Sequence, residues 1–174
     1  MAPFLVRRAT QGDAAAIARV HTQSWRETYS GLIPEVSLEQ ATNSQAYERR
    51  KESWRAALRG EEQDVFVAAQ GGEVVAFASV GPARDHPGYA HELTTLYSLR
   101  RVQGQGIGRA LLHAVMNQVQ VKGSHTLALW VLSSNPTRQW YAAQGAREAG
   151  QKVEGGLTET RMVWDALPSS QAEP

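Results

Sequence analysis

Three glycines alternate with larger residues at Gly104, Gly106 and Gly108, where a β-type segment gives way to a helical apolar repeat. This composition suits the holding of an anion. The first turn of a helix leaves about four N–H groups without intrahelical partners, and the helix dipole makes that end positive. Glycines remove side chains that would bar a close ligand, and they allow positive φ values that aim successive amides at one point. Arg109, with Arg100 and Arg101 just upstream, could add charge. The pattern Gly-x-Gly-x-Gly-Arg misses the third glycine of a dinucleotide fingerprint, and no carboxylate follows about twenty residues on to hold a ribose. No Gly-Lys-Ser/Thr follows either, so the turn is not a P-loop. A glycine turn that only packs closely on a sheet would read the same from these residues alone.

The surroundings suit an anionic ligand. Between Leu93 and Arg147 there is no Asp or Glu, while Arg100, Arg101, Arg109, Lys122, Arg138 and Arg147 give the segment a formal charge of +6. The rest of the 174-residue chain holds 12 basic and 17 acidic residues, or −5, for a net charge of +1. A stretch cleared of carboxylates fits a polyanion, although solvated charges unevenly spread would look alike. Nucleic acid is not expected as a partner, because the net charge is low and no recognised motif appears. The chain has no cysteine, which excludes disulfides, thiolate metal sites and a covalent Cys intermediate. That fits a cytoplasmic protein. The segment Met1–Arg8 lacks an apolar h-region, and no apolar run is long enough for a bilayer, so neither export nor a membrane partner is expected. No metal is expected.

The turn must be positioned by the elements around it. Phe4 to Arg8 reads as a strand, and Thr10 with Asp13 as a helix start. Ile17, Val20, Ser24 and Trp25 follow at helical spacing. A second helical region lies between Ser37 and Gly60, with Tyr47, Trp54 and Leu58 toward the core. Val65–Ala69 and Val74–Ala78 are strands joined through Gly71-Gly72, a hairpin signal. Gly81 to Gly88 reads as a loop, and Glu92 to Leu99 as a strand. Ile107, Leu111, Val115 and Val119 give the helix after the glycine turn, ended by Gly123. Thr126 to Leu132 is an apolar strand of the kind buried on both faces. A short helix from Pro136 to Ala143 precedes a closing hairpin, Arg147–Val153 and Thr158–Trp164 across Gly155-Gly156. The order is strand, two helices, three strands, helix, strand, helix, two strands. This is a mixed α/β layout, expected as a single domain over residues 1–167 with a disordered tail at 168–174.

Gln103-x-x-Gly106-x-Gly108 resembles the signature Gln/Arg-x-x-Gly-x-Gly/Ala of the GNAT acetyltransferases. Glu92-Leu-Thr-Thr-Leu-Tyr97 is similar to that family's fourth strand, Asn135 to Ala146 to its late helix, and Ser24 to Pro34 to the substrate-side helix end of one large branch. The resemblance spans roughly Phe4 to Trp164. It implies the GNAT fold: a mixed central sheet of about six or seven strands, helices on both faces, and two parallel strands splayed at the cofactor site. It also implies acetyl-CoA as cosubstrate, with the pyrophosphate on amides of Gly104, Gly106, Gly108 and Arg109, in the turn that also holds Gln103 and Ile107. The pantetheine would run between the strand ending at Leu99 and the strand starting at Thr126. Asn135 would contact this arm, but it precedes Tyr141 by six positions rather than the family's usual seven, and Ser134 takes the aligned place.

The implied activity is direct transfer of the acetyl group to a primary amine of a small molecule or peptide. Glu92 stands eleven residues before Gln103, where some relatives carry a catalytic glutamate, and would act as base. Otherwise it is a strand-end surface residue or merely orients the acceptor. His91 should face the other way by strand alternation, and Asp85 and His86 are weaker choices. A backbone N–H near Ser98 or Leu99 would hold the oxyanion. Tyr141 aligns with the family's general acid, against the alternative of an aromatic core residue beside Trp140. Trp25, Glu27 and Tyr29 would border the acceptor cleft, unless Trp25 only packs a helix end. Homodimers are common in the family. A non-catalytic acyl-CoA sensor on the same fold would need neither Glu92 nor Tyr141, and the presence of both favours an enzyme.

Overall fold

The structure, a computed structural model, describes residues 2–169. Seven strands form one mixed sheet: β1 (Phe4–Arg8), β2 (Asp64–Gln70), β3 (Glu73–Pro82), β4 (His91–Ser98), β5 (Leu127–Leu132), β6 (Arg147–Glu154) and β7 (Leu157–Trp164). Their order across the sheet is β1-β2-β3-β4-β5-β7-β6. Neighbours are antiparallel except β4 and β5, which run parallel. The helices are α1 (Ala14–Tyr29), α2 (Glu35–Thr42), α3 (Ser44–Arg59), α4 (Ile107–Val121) and α5 (Thr137–Ala143). Helix α1, backed by α3, and helix α4 both pack on β3 and β4. Residues 74–81 of β3 are accordingly all buried, as a strand covered on both faces must be. No helix among the described residues is long and apolar enough to cross a membrane.

The helical stretch expected across 37–60 is two helices, so three rather than two lie between β1 and β2. The break is chemical. Asn43 is extended, with ψ 177, and its Oδ1 accepts the Ala46 N–H at 2.8 Å. An Asn side chain that bonds a nearby amide competes with helix continuation and favours an N-cap. The loop expected at Gly81 is also shorter, because β3 continues through Pro82 and pairs Gly81 with Glu92. Of the tail expected to be disordered, Pro168 is anchored, its carbonyl accepting Gln120 Nε2 at 2.7 Å. Residues 170–174 lie outside the described residues.

One feature of the sheet builds the site. The parallel strands β4 and β5 are in register only at Glu92 and Ala128. Beyond that point they part, while β5 stays paired to β7 along its whole length.

Candidate active site

Where β4 leaves β5 a cleft of about 790 Å³ opens. Leu99 donates its N–H to Val75 O at 3.0 Å, and Tyr97 lies opposite Phe77. Backbone groups alternate sides along an antiparallel strand, so the amides of Leu96 and Ser98 turn toward the gap. Leu99 itself is buried and has spent its N–H on β3, which removes it as an oxyanion donor or cofactor contact. The edge that faces the gap is that of Leu96 and Ser98, which line the cleft.

One mouth of the cleft is the glycine turn. Gly104 and Gly106 have φ of +79 and +84, which a side chain would strain, and Gly106 is the N-cap of α4. No side chain caps this helix. The Ala110 N–H bonds Gly106 O, so the amides preceding it in the first turn are left for a ligand. Gly108 is different: it sits inside the helix, and a Cβ there would lie 3.5 Å from Trp140. Ile107 is buried in the core and also lines the cleft. The Gln103 side chain donates to Ser98 O at 3.3 Å and braces the turn against β4. The expected arginine pair is turned away. The backbone N–H of Arg100 donates to Glu27 Oε2 at 2.8 Å and its side chain bonds the Glu27 carbonyl, while Arg101 meets Glu73 at 3.1 Å. Arg109 lines the cleft and has no carboxylate within ion-pair distance among the described residues.

Midway along, three tyrosines converge from three elements. Tyr141 of α5 is 6% exposed. Burial, and then the nearby Tyr29, push its pKa well above the ordinary tyrosine value, so it stays protonated. Tyr97 of β4 accepts a hydrogen bond from Trp25 Nε1 at 3.1 Å. The Tyr29 hydroxyl at the end of α1 has its pKa raised by burial, while the adjacent Tyr97 and Asn135 side chains draw it down. Asn135 is buried, and its Oδ1 accepts the Thr137 N–H at 2.9 Å.

The far end holds Glu92, with Trp130 of β5 and Lys152, Glu154 and Glu159 from β6 and β7. The Glu92 side chain is 15% exposed. Its pKa is raised, chiefly by burial, against the Arg84 N–H, which donates to Oε1 at 3.1 Å. Lys152 stands 3.0 Å from Glu154 and 3.6 Å from Glu159. His91 is absent from the lining, and the charges acting on it are those of Lys122 and Asp64.

Trp25 and Tyr29 line the cleft but Glu27 does not. The reason was available in the sequence: positions four apart share a helix face, and a residue midway between them points about 160° away. Tyr97, Trp130, Lys152 and Glu159 were not legible as site features. They come from four separate segments that only the sheet order assembles.

Residues 20–146 match the profile described as the Acetyltransferase (GNAT) family. The uncharacterized N-acetyltransferase YuaI of Bacillus subtilis strain 168 is 39% identical over 169 residues, 93% of each chain. The PaiA N-acetyltransferase of Thermoplasma acidophilum, solved in complex with coenzyme A, superposes with a TM-score of 0.74 at 18% identity, over 91% of this chain and 98% of its own. The putative acetyltransferase yncA of Salmonella typhimurium, solved with acetyl-CoA, gives 0.69 at 24% identity over 99% and 98%.

Proposed function

Because the chain belongs to the acetyltransferase (GNAT) family, we propose that it carries the acetyl group of acetyl-CoA directly to a primary amine in a ternary complex. The observation that carries this reading is the parting of β4 from β5 beside an uncapped helix N-terminus. The gap offers an unpaired strand edge for the amides of a pantetheine arm, in the manner of an added strand. The turn offers the amides of Gly106, Ile107, Gly108 and Arg109, with the Arg109 charge, to a diphosphate. Gly104 gives the close approach, and Gln103 braces it.

In this reading the amine enters past Trp25, Tyr29 and Trp130, and Glu92 takes its proton. A free amine is mostly protonated at neutral pH, so a base is required, and a carboxyl with a raised pKa is suited to the task. As nitrogen attacks the thioester carbonyl, the oxyanion is met by the Leu96 or Ser98 N–H. The C–S bond breaks, the thiolate takes its proton from the Tyr141 hydroxyl, held protonated by burial, and the proton shed by the acetylated nitrogen restores the phenol. The chain has no cysteine, so no Cys-acyl intermediate intervenes. Small molecules and peptides both qualify as acceptors, since the cleft chemistry is common to both.

The test is release of free thiol from acetyl-CoA against a panel of primary amines. Release should depend on both substrates, with initial-rate lines that intersect. Coenzyme binding without amine-dependent release would leave a non-catalytic acyl-CoA-binding protein instead.

A further inference from the structure

Glu92 does not stand alone. The segment between β3 and β4 folds His86 against it. The imidazole side chain is 0% exposed, its ring stacks on Trp130 at 5.1 Å and 27°, and its Nε2 lies 3.0 Å from Glu92 Oε1. The same oxygen accepts the Arg84 N–H at 3.1 Å. We propose that His86 is a positioning residue for the base: as a neutral imidazole it donates Nε2–H to Glu92 Oε1, leaving Oε2 to take the acceptor's proton. This rests on the reading of Glu92 as base.

The two atoms are at hydrogen-bond distance, although the imidazole N–H is not aligned on the oxygen. Such contacts commonly tighten once substrate fills a site. The surroundings favour a neutral ring over an imidazolium. The groups facing the pair are Arg84, Asp85, Lys152 and Arg161. Lys152 and Arg161 both stand over the Trp130 ring, at 4.4 and 4.9 Å. Burial first, then these two cations, lower the His86 pKa to about 4 against the opposing pull of Asp85.

Neutrality matters to the base. An imidazolium 3.0 Å away would hold the carboxylate ionised too firmly to accept a proton, whereas a neutral donor steadies it and keeps its basicity. In the transfer, the acceptor's N–H bond breaks as the Oε2–H bond forms, and His86 keeps its own proton throughout.

Two measurements test this. In His86→Phe the stacked ring survives and the donor is lost, so the carboxylate is less stabilised. The acid limb of the kcat/KM profile should move up by about half to one pH unit, the size of one lost hydrogen bond, while KM for acetyl-CoA holds. His86→Gln, whose amide can donate without titrating, should bring the limb back. In the unaltered protein, imidazole ¹⁵N shifts of His86 should show the neutral Nε2–H tautomer from pH 5 to pH 9. This readout stands even where His86→Phe fails to fold. An unmoved limb in His86→Phe, or an imidazolium or Nδ1–H form in that range, overturns the proposal. Failure of the underlying reading looks different: Glu92→Gln would then keep the acid limb, whatever the state of His86.

Discussion

At the scale of single residues, Tyr141 and Glu92 are paired opposites. Burial raises both pKa values, which keeps the phenol protonated and makes the carboxyl more basic. Tyr141→Phe removes the donor and leaves the ring that packs near Trp140 and Trp164. Turnover should drop roughly 100-fold, the usual scale of one proton-transfer group, with the coenzyme Kd within about twofold by calorimetry. Turnover that stays at the parent level takes Tyr141 out of the chemistry. For Glu92 the sign follows from its direction of shift. As the proposed base, Glu92 works as the anion, so kcat/KM should fall as pH drops through a pKa above that of an ordinary glutamate. Glu92→Gln should abolish this limb together with most of the activity. Both residues were singled out from the sequence because each stands at a family position. Glu27 was misplaced because neighbouring residues in sequence were read as a patch without regard to helix phase; its carboxylate serves the Arg100 N–H instead.

At the scale of elements, α4 was readable to within a residue because two independent signals coincide, the glycine turn and the four-residue apolar spacing from Ile107 to Val119. The break at Asn43 was not read, since a single capping side chain interrupts an otherwise continuous helical composition. The turn's three glycines separate by function. Gly106 holds φ +84 with open space around it, so Gly106→Ala should cost about 1–2 kcal/mol through backbone strain alone. Because that strain tilts the amides, coenzyme affinity should also fall severalfold. Gly108→Ala meets Trp140 only at ordinary contact distance, 3.5 Å, within a helix. It should raise stability by up to about 1 kcal/mol and leave coenzyme affinity nearly unchanged. Urea unfolding and calorimetry on the two variants check this. Equal effects would mean that the turn's backbone conformation is not what presents the amides.

At the scale of the whole molecule, sheet composition was legible strand by strand, whereas the splay followed only from the family resemblance and not from the residues of either strand. Nothing in β4 or β5 alone says that pairing stops after Glu92 and Ala128. It follows from β5 being held by β7 while β4 is held by β3. The aromatic core beside the cleft has a consequence for acid stability. His21 lies among Trp54, Phe77 and Tyr97, and its Nδ1 accepts the Trp54 Nε1–H at 3.2 Å. Burial, and then the Arg50 charge, lower its pKa to about 3. Its ordinary pKa is about 6.5. Between those values the unfolded chain takes up a proton that the folded chain refuses, so stability must fall as pH drops from about 6.5 toward 3. His86, at about 4, adds in the same direction. The urea midpoint should therefore decline steadily from pH 7 to pH 4.5. His21→Gln can still accept the Trp54 indole proton but cannot titrate. It should lose some packing at pH 7, yet its midpoint should decline less with acid than that of the parent. A decline of the same slope in both proteins would place the acid sensitivity in other groups and leave the buried imidazole of α1 thermodynamically silent.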